Sequence, residues 1–317
     1  MGATSIPWTD YTLNLVGGCS IHSPGCNLCY AQDLAGTRLV SHPMYAGITD
    51  KMKGRPIFNG VMTEARADVS VWNWPLHMRG TRKPRLGPGK PSMVFVADMA
   101  DLFHENRPRD VIDKVVARCG FGFFIAQFLT KRAAIMTEYF LDPGVRGRLD
   151  KIMDAIAPAH WCAREIEHWP PSFFWLMFSA ERQVEFDQRW ALVRRLADAG
   201  FLIGVSIEPQ LGPIVLPDDF LRWGSVNRAW VICGGESGRK DRARPFRLDW
   251  ARMLLAQCRS TGVPFFMKQL GVNPVEDLGG SIDFKPSGKS ETPAGWPGDL
   301  RVREFPKVTA MNGMGWA

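Results

Sequence analysis

The chain lacks the features that would place it in a membrane or a secretory route. No apolar run approaches the about 18 residues needed to cross a bilayer. Met1 to Ile6 contains neither a basic stretch nor an apolar core, so no secretory leader is expected. Cysteine is scarce, seven in 317 residues, and the number is odd. That argues against a disulfide framework and for free thiols in a reducing cytoplasm. No internal repeat is visible, which argues against solenoids and propellers.

What is present points to a large soluble core. Hydrophobic residues make up 45% of the chain, enough for two small domains or one α/β barrel. The formal net charge is +7, a modest attraction for nucleic acid, nucleotides or an anionic cofactor.

Three of the seven cysteines fall within eleven residues: Cys19, Cys26 and Cys29, in Gly18-Cys19-Ser20-Ile21-His22-Ser23-Pro24-Gly25-Cys26-Asn27-Leu28-Cys29-Tyr30. On a loop punctuated by Gly and Pro, three thiolates can converge on one metal centre and leave a coordination position open for a ligand. An iron–sulfur cluster heads the readings. Zinc with His22 as a fourth ligand comes second, and no metal third. Zinc sites usually draw a second Cys or His pair from further along the chain, and none is seen. Cys119, Cys162, Cys233 and Cys258 are isolated in apolar surroundings and read as small buried hydrophobes.

Short β-branched and aromatic runs alternate with helical patterns. Strands are expected at 11–16, 92–97, 123–129, 173–178, 201–207, 229–233 and 263–267. Helices are expected from about Cys26, then at 110–118, 133–139, 183–199 and 248–260, the last ending at Gly262. Fully apolar strands between helices mean a parallel sheet. Seven strands suggest a (β/α) barrel, one strand short of a full one; a doubly wound open sheet is the alternative. The barrel is expected over 1–271, with an irregular Trp/Pro-rich insertion at 41–92 acting as a lid and not as a core element. A loop-rich extension at 272–317 would cover one end of the barrel or lie partly free.

Active sites of parallel α/β folds form at the carboxyl ends of the strands. Here those ends are polar: Asp98 and Asp101, Lys131 and Arg132, Ser179 and Glu181, Ser206 and Glu208, Gly234-Gly235-Glu236, and Lys268. Taken singly, Glu181 and Glu208 read as caps or turn residues, and Gly234-Gly235 as a tight turn. Taken together, Ser-x-Glu at two successive strand ends and Gly-Gly-Glu at the third suggest one pocket. Its carboxylates would hold an amine or ribose hydroxyls, its glycines would admit a ligand, and its basic groups would hold a carboxylate or phosphate.

Several long motifs carry a resemblance. They are Ile6-Pro7-Trp8-Thr9-Asp10, Asn14, the cysteine loop through Tyr30, Phe95 to His104, Leu129 to Arg132, Ser206 to Pro213, Gly234 to Gly238, Ala243-Arg244-Pro245 and Pro264 to Gly271. Over about residues 4–271 the chain resembles a family of unknown function found in phage and prophage genomes and regarded as radical-SAM-like.

The resemblance implies a radical SAM type barrel in which Cys19, Cys26 and Cys29 hold a 4Fe-4S cluster. The cluster's fourth iron binds S-adenosylmethionine, and an external electron donor starts the cleavage that yields a 5′-deoxyadenosyl radical. Joined to the strand-end pattern, this gives a cofactor pocket in which Asp98, Asp101, Ser179, Glu181, Ser206, Glu208 and Glu236, with Gly234 and Gly235, bind the methionine amine and ribose. The family's own Gly-Gly-Glu contact follows the second strand, where Asp98 or Asp101 stands here, so that role is not carried over to Glu236. Lys131, Arg132 and Lys268 would hold a carboxylate or an anionic substrate. The usual spacing in that superfamily is C-x3-C-x2-C, and the first gap here is six residues. If phage-encoded, the protein would act in the host cytoplasm.

The expected substrate is a small molecule, a modified nucleotide or a base in phage DNA. Trp72-Asn73-Trp74-Pro75-Leu76-His77-Met78-Arg79 could stack a base while Arg holds phosphate, although Trp residues that merely pack the insertion explain it as well. The competing function is a zinc-stabilised nucleic-acid-binding protein without redox chemistry. No membrane partner is expected.

Overall fold

The computed structural model describes residues 2–67, 70–78, 81, 83–121, 124–157, 168–224, 226–238, 240–276 and 292–308. Its centre is an eight-stranded sheet whose strands lie side by side in chain order. They are β1 (Gly2–Ala3), β2 (Tyr11–Leu13), β3 (Met93–Val96), β4 (Ile125–Thr130), β5 (Phe174–Ser179), β6 (Leu202–Ile207), β7 (Ala229–Gly234) and β8 (Phe265–Gln269). β1 runs antiparallel to β2, and every later neighbour pair is parallel. The principal helices are α1 (Tyr30–Gly36), α2 (Arg109–Cys119), α3 (Ala133–Leu141), α4 (Val145–Ile156), α5 (Gln183–Asp198) and α6 (Leu248–Thr261).

Strand alternation divides the apolar residues between two separate cores. Val94, Val96, Ala126, Phe128, Leu176, Phe178, Val205, Val231 and Met267 face one way and pack against α2 to α6. Met93, Phe95, Ile125, Trp175, Met177, Trp230, Ile232 and Phe266 face the other way and pack on Trp8, with Ile6, Leu129 and Phe305 beside them. Among the described residues, that second cluster contains none from a helix. A doubly wound sheet reverses its strand order and carries helices on both faces. Here, among the described residues, the order is sequential and the helices α2 to α6 pack on one face, so the sheet is not doubly wound. Among the described residues no pairing joins the first strands to β8, so the expected barrel is not closed.

Both edges of the parallel sheet are covered. β1 caps one side. On the other, the main chain at 302–304 pairs antiparallel with β8: Met267 N–H donates to Val302 O at 2.8 Å and Glu304 N–H to Phe265 O at 2.9 Å. Trp296 and Leu300 enter the helix-side core, and Trp230 Nε1 donates to Glu304 O at 3.0 Å.

The insertion is not irregular throughout. Thr49–Met52 and Arg55–Phe58 form a hairpin about Lys53-Gly54, and Val16–Gly17 pairs with Thr63–Glu64. Ile48 and Phe58 pack on Ala31 and Ala35 of α1, behind the cysteine loop. Trp72 is buried in the helix-side core, its Nε1 donating to Ala65 O at 2.9 Å and its ring lying under the Arg118 guanidinium. Trp74 packs against Tyr11 and Phe124. Trp72 is thus taken up by packing, the reading the sequence also allowed, while Trp74 packs on these rings and stays half-buried. His77 and Arg79 side chains lie outside the described residues, as does Cys162.

Candidate functional site

An open cavity of about 400 Å³ sits at the carboxyl ends of the parallel strands. Ile6, Trp8, Phe95 and Leu129 give it an apolar wall. Cys19, Cys26, Cys29 and Tyr30 reach it from the loop that follows β2, and Asp98, Asp101, Lys131, Arg132, Ser179, Ser206, Glu208, Gly235, Glu236 and Lys268 from later strand ends. Of the residues expected here from sequence, Glu181 and Gly234 are the ones that do not line it.

The cysteine loop is built by local signals. Ser23-Pro24-Gly25 starts a 3-10 turn over Pro24–Leu28, the Pro sitting where its missing N–H costs nothing. Cys29 then serves as the N-cap residue of α1. Burial raises the Cys29 thiol pKa, opposed by the amides of Gln32 and Ala31, which favour the thiolate. Burial, reinforced by the Asp101 charge, pushes Cys19 up to about 12, with Arg132 opposing. The three thiols are electrostatic neighbours on one cavity wall. Among the described residues, no three of His, Cys, Asp and Glu are drawn together closely enough to hold a metal ion as they stand. The donor set nevertheless fits an iron–sulfur cluster, which takes thiolates from one short loop beside an open cavity. It fits zinc less well, because His22 is exposed and does not line the cavity.

The charged groups pair off in a definite order. Asp101, buried, accepts from Thr130 Oγ1 at 2.6 Å, Phe103 N–H at 3.1 Å and Lys131 N–H at 3.2 Å, and pairs with Arg132 at 3.3 Å. Glu208 pairs with Lys268 at 3.0 Å and accepts from Ser206 Oγ at 3.2 Å. Glu236 is clamped by Arg244, through Nε at 3.0 Å, the Arg244 amide at 2.9 Å and a further contact from Nη2. Asp98 differs. It accepts from Asn14 Nδ2 at 2.6 Å, and Tyr30 OH donates to its backbone oxygen at 2.8 Å. Burial raises its pKa, opposed by hydrogen bonds from Asn14, Thr12 and Tyr30. Among the described residues it is the one cavity carboxylate without a cationic partner.

Two sequence expectations change meaning here. Glu181 is completely buried behind the cysteine loop, where it accepts from Ser23 Oγ at 2.7 Å and pairs with Lys131 and with Arg189, the latter at 3.4 Å. Burial alone would raise its pKa; Lys131, Ser23 and Arg189 outweigh that and hold it below the usual carboxylate range. Gly235 is required by the protein's own packing, and a side chain at 234 would have to displace the Glu208 carboxylate. A Cβ at 234 would stand 2.6 Å from Glu208 Oε1, and one at 235 would strike the Leu270 carbonyl oxygen.

Sequence reasoning passed over two groups. His104, 1% exposed, accepts the Asn106 amide at Nδ1, so its proton lies on Nε2 and is shared with Ser20 Oγ at 2.8 Å. Arg107 donates to Gly17 O at 2.9 Å and Thr63 O at 3.1 Å, tying the start of the loop to the insertion. In the sequence both sit in the polar run His104-Glu105-Asn106-Arg107, where nothing sets them apart from a solvated loop.

Fold and site together define a class: an α/β protein whose sequential parallel sheet carries a three-cysteine cavity at its carboxyl edge. Within it the chain belongs to the family described as Protein of unknown function (DUF5131), whose model matches residues 3–301. No curated protein and no solved structure matches it.

Proposed function

We propose that the protein is a radical S-adenosylmethionine enzyme, with Cys19, Cys26 and Cys29 holding a 4Fe-4S cluster and the cavity taking S-adenosylmethionine. The observation that carries this reading is the charge pattern. Lys131, Arg132, Lys268 and Arg244 each already face a carboxylate, while Asp98 faces no cation among the described residues. A cavity of that kind favours a cationic ligand, and S-adenosylmethionine brings an ammonium and a sulfonium. When bound, the cluster and S-adenosylmethionine supply one-electron cleavage of a carbon–sulfur bond and a carbon radical that abstracts hydrogen.

The chain's own residues would do the rest. Asp98, oriented by Asn14, would hold the ammonium. Ser206 and Glu208 offer acceptors for hydroxyl groups. Ile6, Trp8, Phe95 and Leu129 would exclude water from the reacting atoms. The basic groups are already engaged, so the cavity would take the uncharged base of a modified nucleotide or of DNA and leave the phosphate outside, and that is the substrate class we favour.

Anaerobic reconstitution with iron, sulfide and zinc analysis tests the reading. About four irons per chain, lost in Cys26→Ala, are expected. Addition of S-adenosylmethionine and reductant should then release 5′-deoxyadenosine, faster when nucleotides or DNA are present. Stoichiometric zinc without iron would overturn the radical reading in favour of a zinc-stabilised nucleic-acid binder. Cofactor cleavage that nucleotides and DNA leave unchanged would remove the substrate class.

A further inference from the structure

We infer that Lys131 and Arg132, adjacent residues at the end of β4, are positioning residues for the cysteine loop, each fixing a different half of it. Neither is the anion-binding group its position suggests. The loop has little hydrogen bonding of its own: Cys26 N–H reaches Ser23 O and Cys29 N–H reaches Cys26 O, while Gln32 Nε2 donates to Cys26 O from α1. Main-chain contacts tie down its first residues, Asp101 N–H reaching Gly18 O at 3.4 Å and Gly60 N–H reaching Cys19 O at 3.0 Å; the side-chain anchors on residues 19–25 converge on the 131–132 pair.

Arg132 fixes the first half. Its side chain is 3% exposed. Nη2 donates to Ser20 O at 3.2 Å and Ser20 Oγ at 2.8 Å, and Nη1 to Cys19 Sγ at 3.4 Å. The guanidinium is itself held by Asp101 at 3.3 Å and Glu105 at 3.0 Å. His104 completes the grip on the Ser20 hydroxyl. A planar fork with five donors can serve two carboxylates, a carbonyl, a hydroxyl and a sulfur at once; an ammonium cannot.

Lys131 fixes the second half through an intermediary. Its ammonium pairs with Glu181, whose same oxygen accepts from Ser23 Oγ at 2.7 Å and abuts Gly25 so closely that a Cβ has no space. Arg189 holds the other Glu181 oxygen at 3.4 Å and donates to Ser179 O at 2.5 Å, anchoring the carboxylate to β5 and α5. A ligand anion entering here would have to separate Lys131 from a fully buried carboxylate.

Hydrogen–deuterium exchange of the full, metal-free chain tests this, so a wrong metal assignment leaves the result readable. Arg132→Lys keeps the charge for Asp101 but loses the fork. It should speed exchange in peptides covering 18–22 by about tenfold while 25–29 stays near wild type. Lys131→Met should do the reverse, and Lys131→Arg should restore protection at 25–29. Amides of β5 to β7 serve as the internal reference. Unchanged loop exchange in both variants overturns the inference. So does a rise shared equally by both halves and the sheet, which would mark general destabilisation. If Lys131→Met leaves 25–29 protected and only weakens inorganic phosphate binding, Lys131 is a ligand group and the inference fails.

Discussion

Gly25 is where the candidate site meets the packing of the whole protein. No side chain fits between it and Glu181. Gly25→Ala should therefore cost about 1–3 kcal/mol, read as a lower denaturation midpoint, and, if the proposed cluster is bound, reduce iron retained per chain. Adding Glu181→Asp withdraws the carboxylate by one methylene and should recover part of both losses. A Gly25→Ala protein with wild-type iron content and stability would show that the loop moves freely past Glu181.

His104 carries a pH prediction. Burial, then the Arg132 charge, lowers its pKa below the ordinary histidine value. The unfolded chain takes up a proton near pH 6.5 that the folded chain resists, so its contribution to stability is present above that pH and is lost as pH falls. Urea unfolding between about pH 8 and about pH 5.5 should show a steeper loss for wild type than for His104→Gln. Parallel slopes would remove His104 from the account.

At this scale much of the site was legible. Spacing alone put three thiols on one loop, and strand ends named most of the cavity's polar groups. What spacing could not give was pairing. Glu181 and Glu236 look alike in sequence, yet Glu181 is buried behind the loop and Glu236 meets Arg244, because partners from distant strands decide how a carboxylate is spent.

At the scale of elements, apolar strands and helix stops could be read closely. The last helix ends where Gly262 adopts φ 76°, as its position after Ser260 and Thr261 promised. The 41–92 segment was misread because Pro and Gly there mark hairpin turns as well as irregular chain. Helix α4 was missed because its apolar positions, Val145, Leu149 and Met153, form a narrow stripe among charged residues.

Trp72 supplies the test at this level. Trp72→Phe keeps the ring but strands the Ala65 carbonyl, and should cost about 1–3 kcal/mol of stability. Nucleic-acid affinity, measured in parallel, should not change. A selective loss of DNA binding with stability intact would return the base-stacking role to this segment.

For the whole molecule, alternation of helix and parallel strand was legible, but closure was not. Whether a sheet of parallel strands curls shut depends on tilt and stagger, which leave no mark on a single sequence. The two-core arrangement explains why the 292–308 segment matters. Trp296 is 2% exposed in the helix-side core, and Trp296→Ala should cost about 3–5 kcal/mol, measured by denaturant unfolding. A change under about 1 kcal/mol would mean that the segment is a passive cover.

The pairing of 302–304 with β8 also orders events in time. A chain made from its amino end presents β8 with an open edge until those residues emerge, well after the rest of the sheet exists. During that interval the unpaired main chain and the Trp230–Phe266 surface are open to the same edge of another nascent copy. A message truncated before the codon for residue 302 would therefore yield a protein that holds its cysteine loop and cavity wall yet is prone to associate edge to edge.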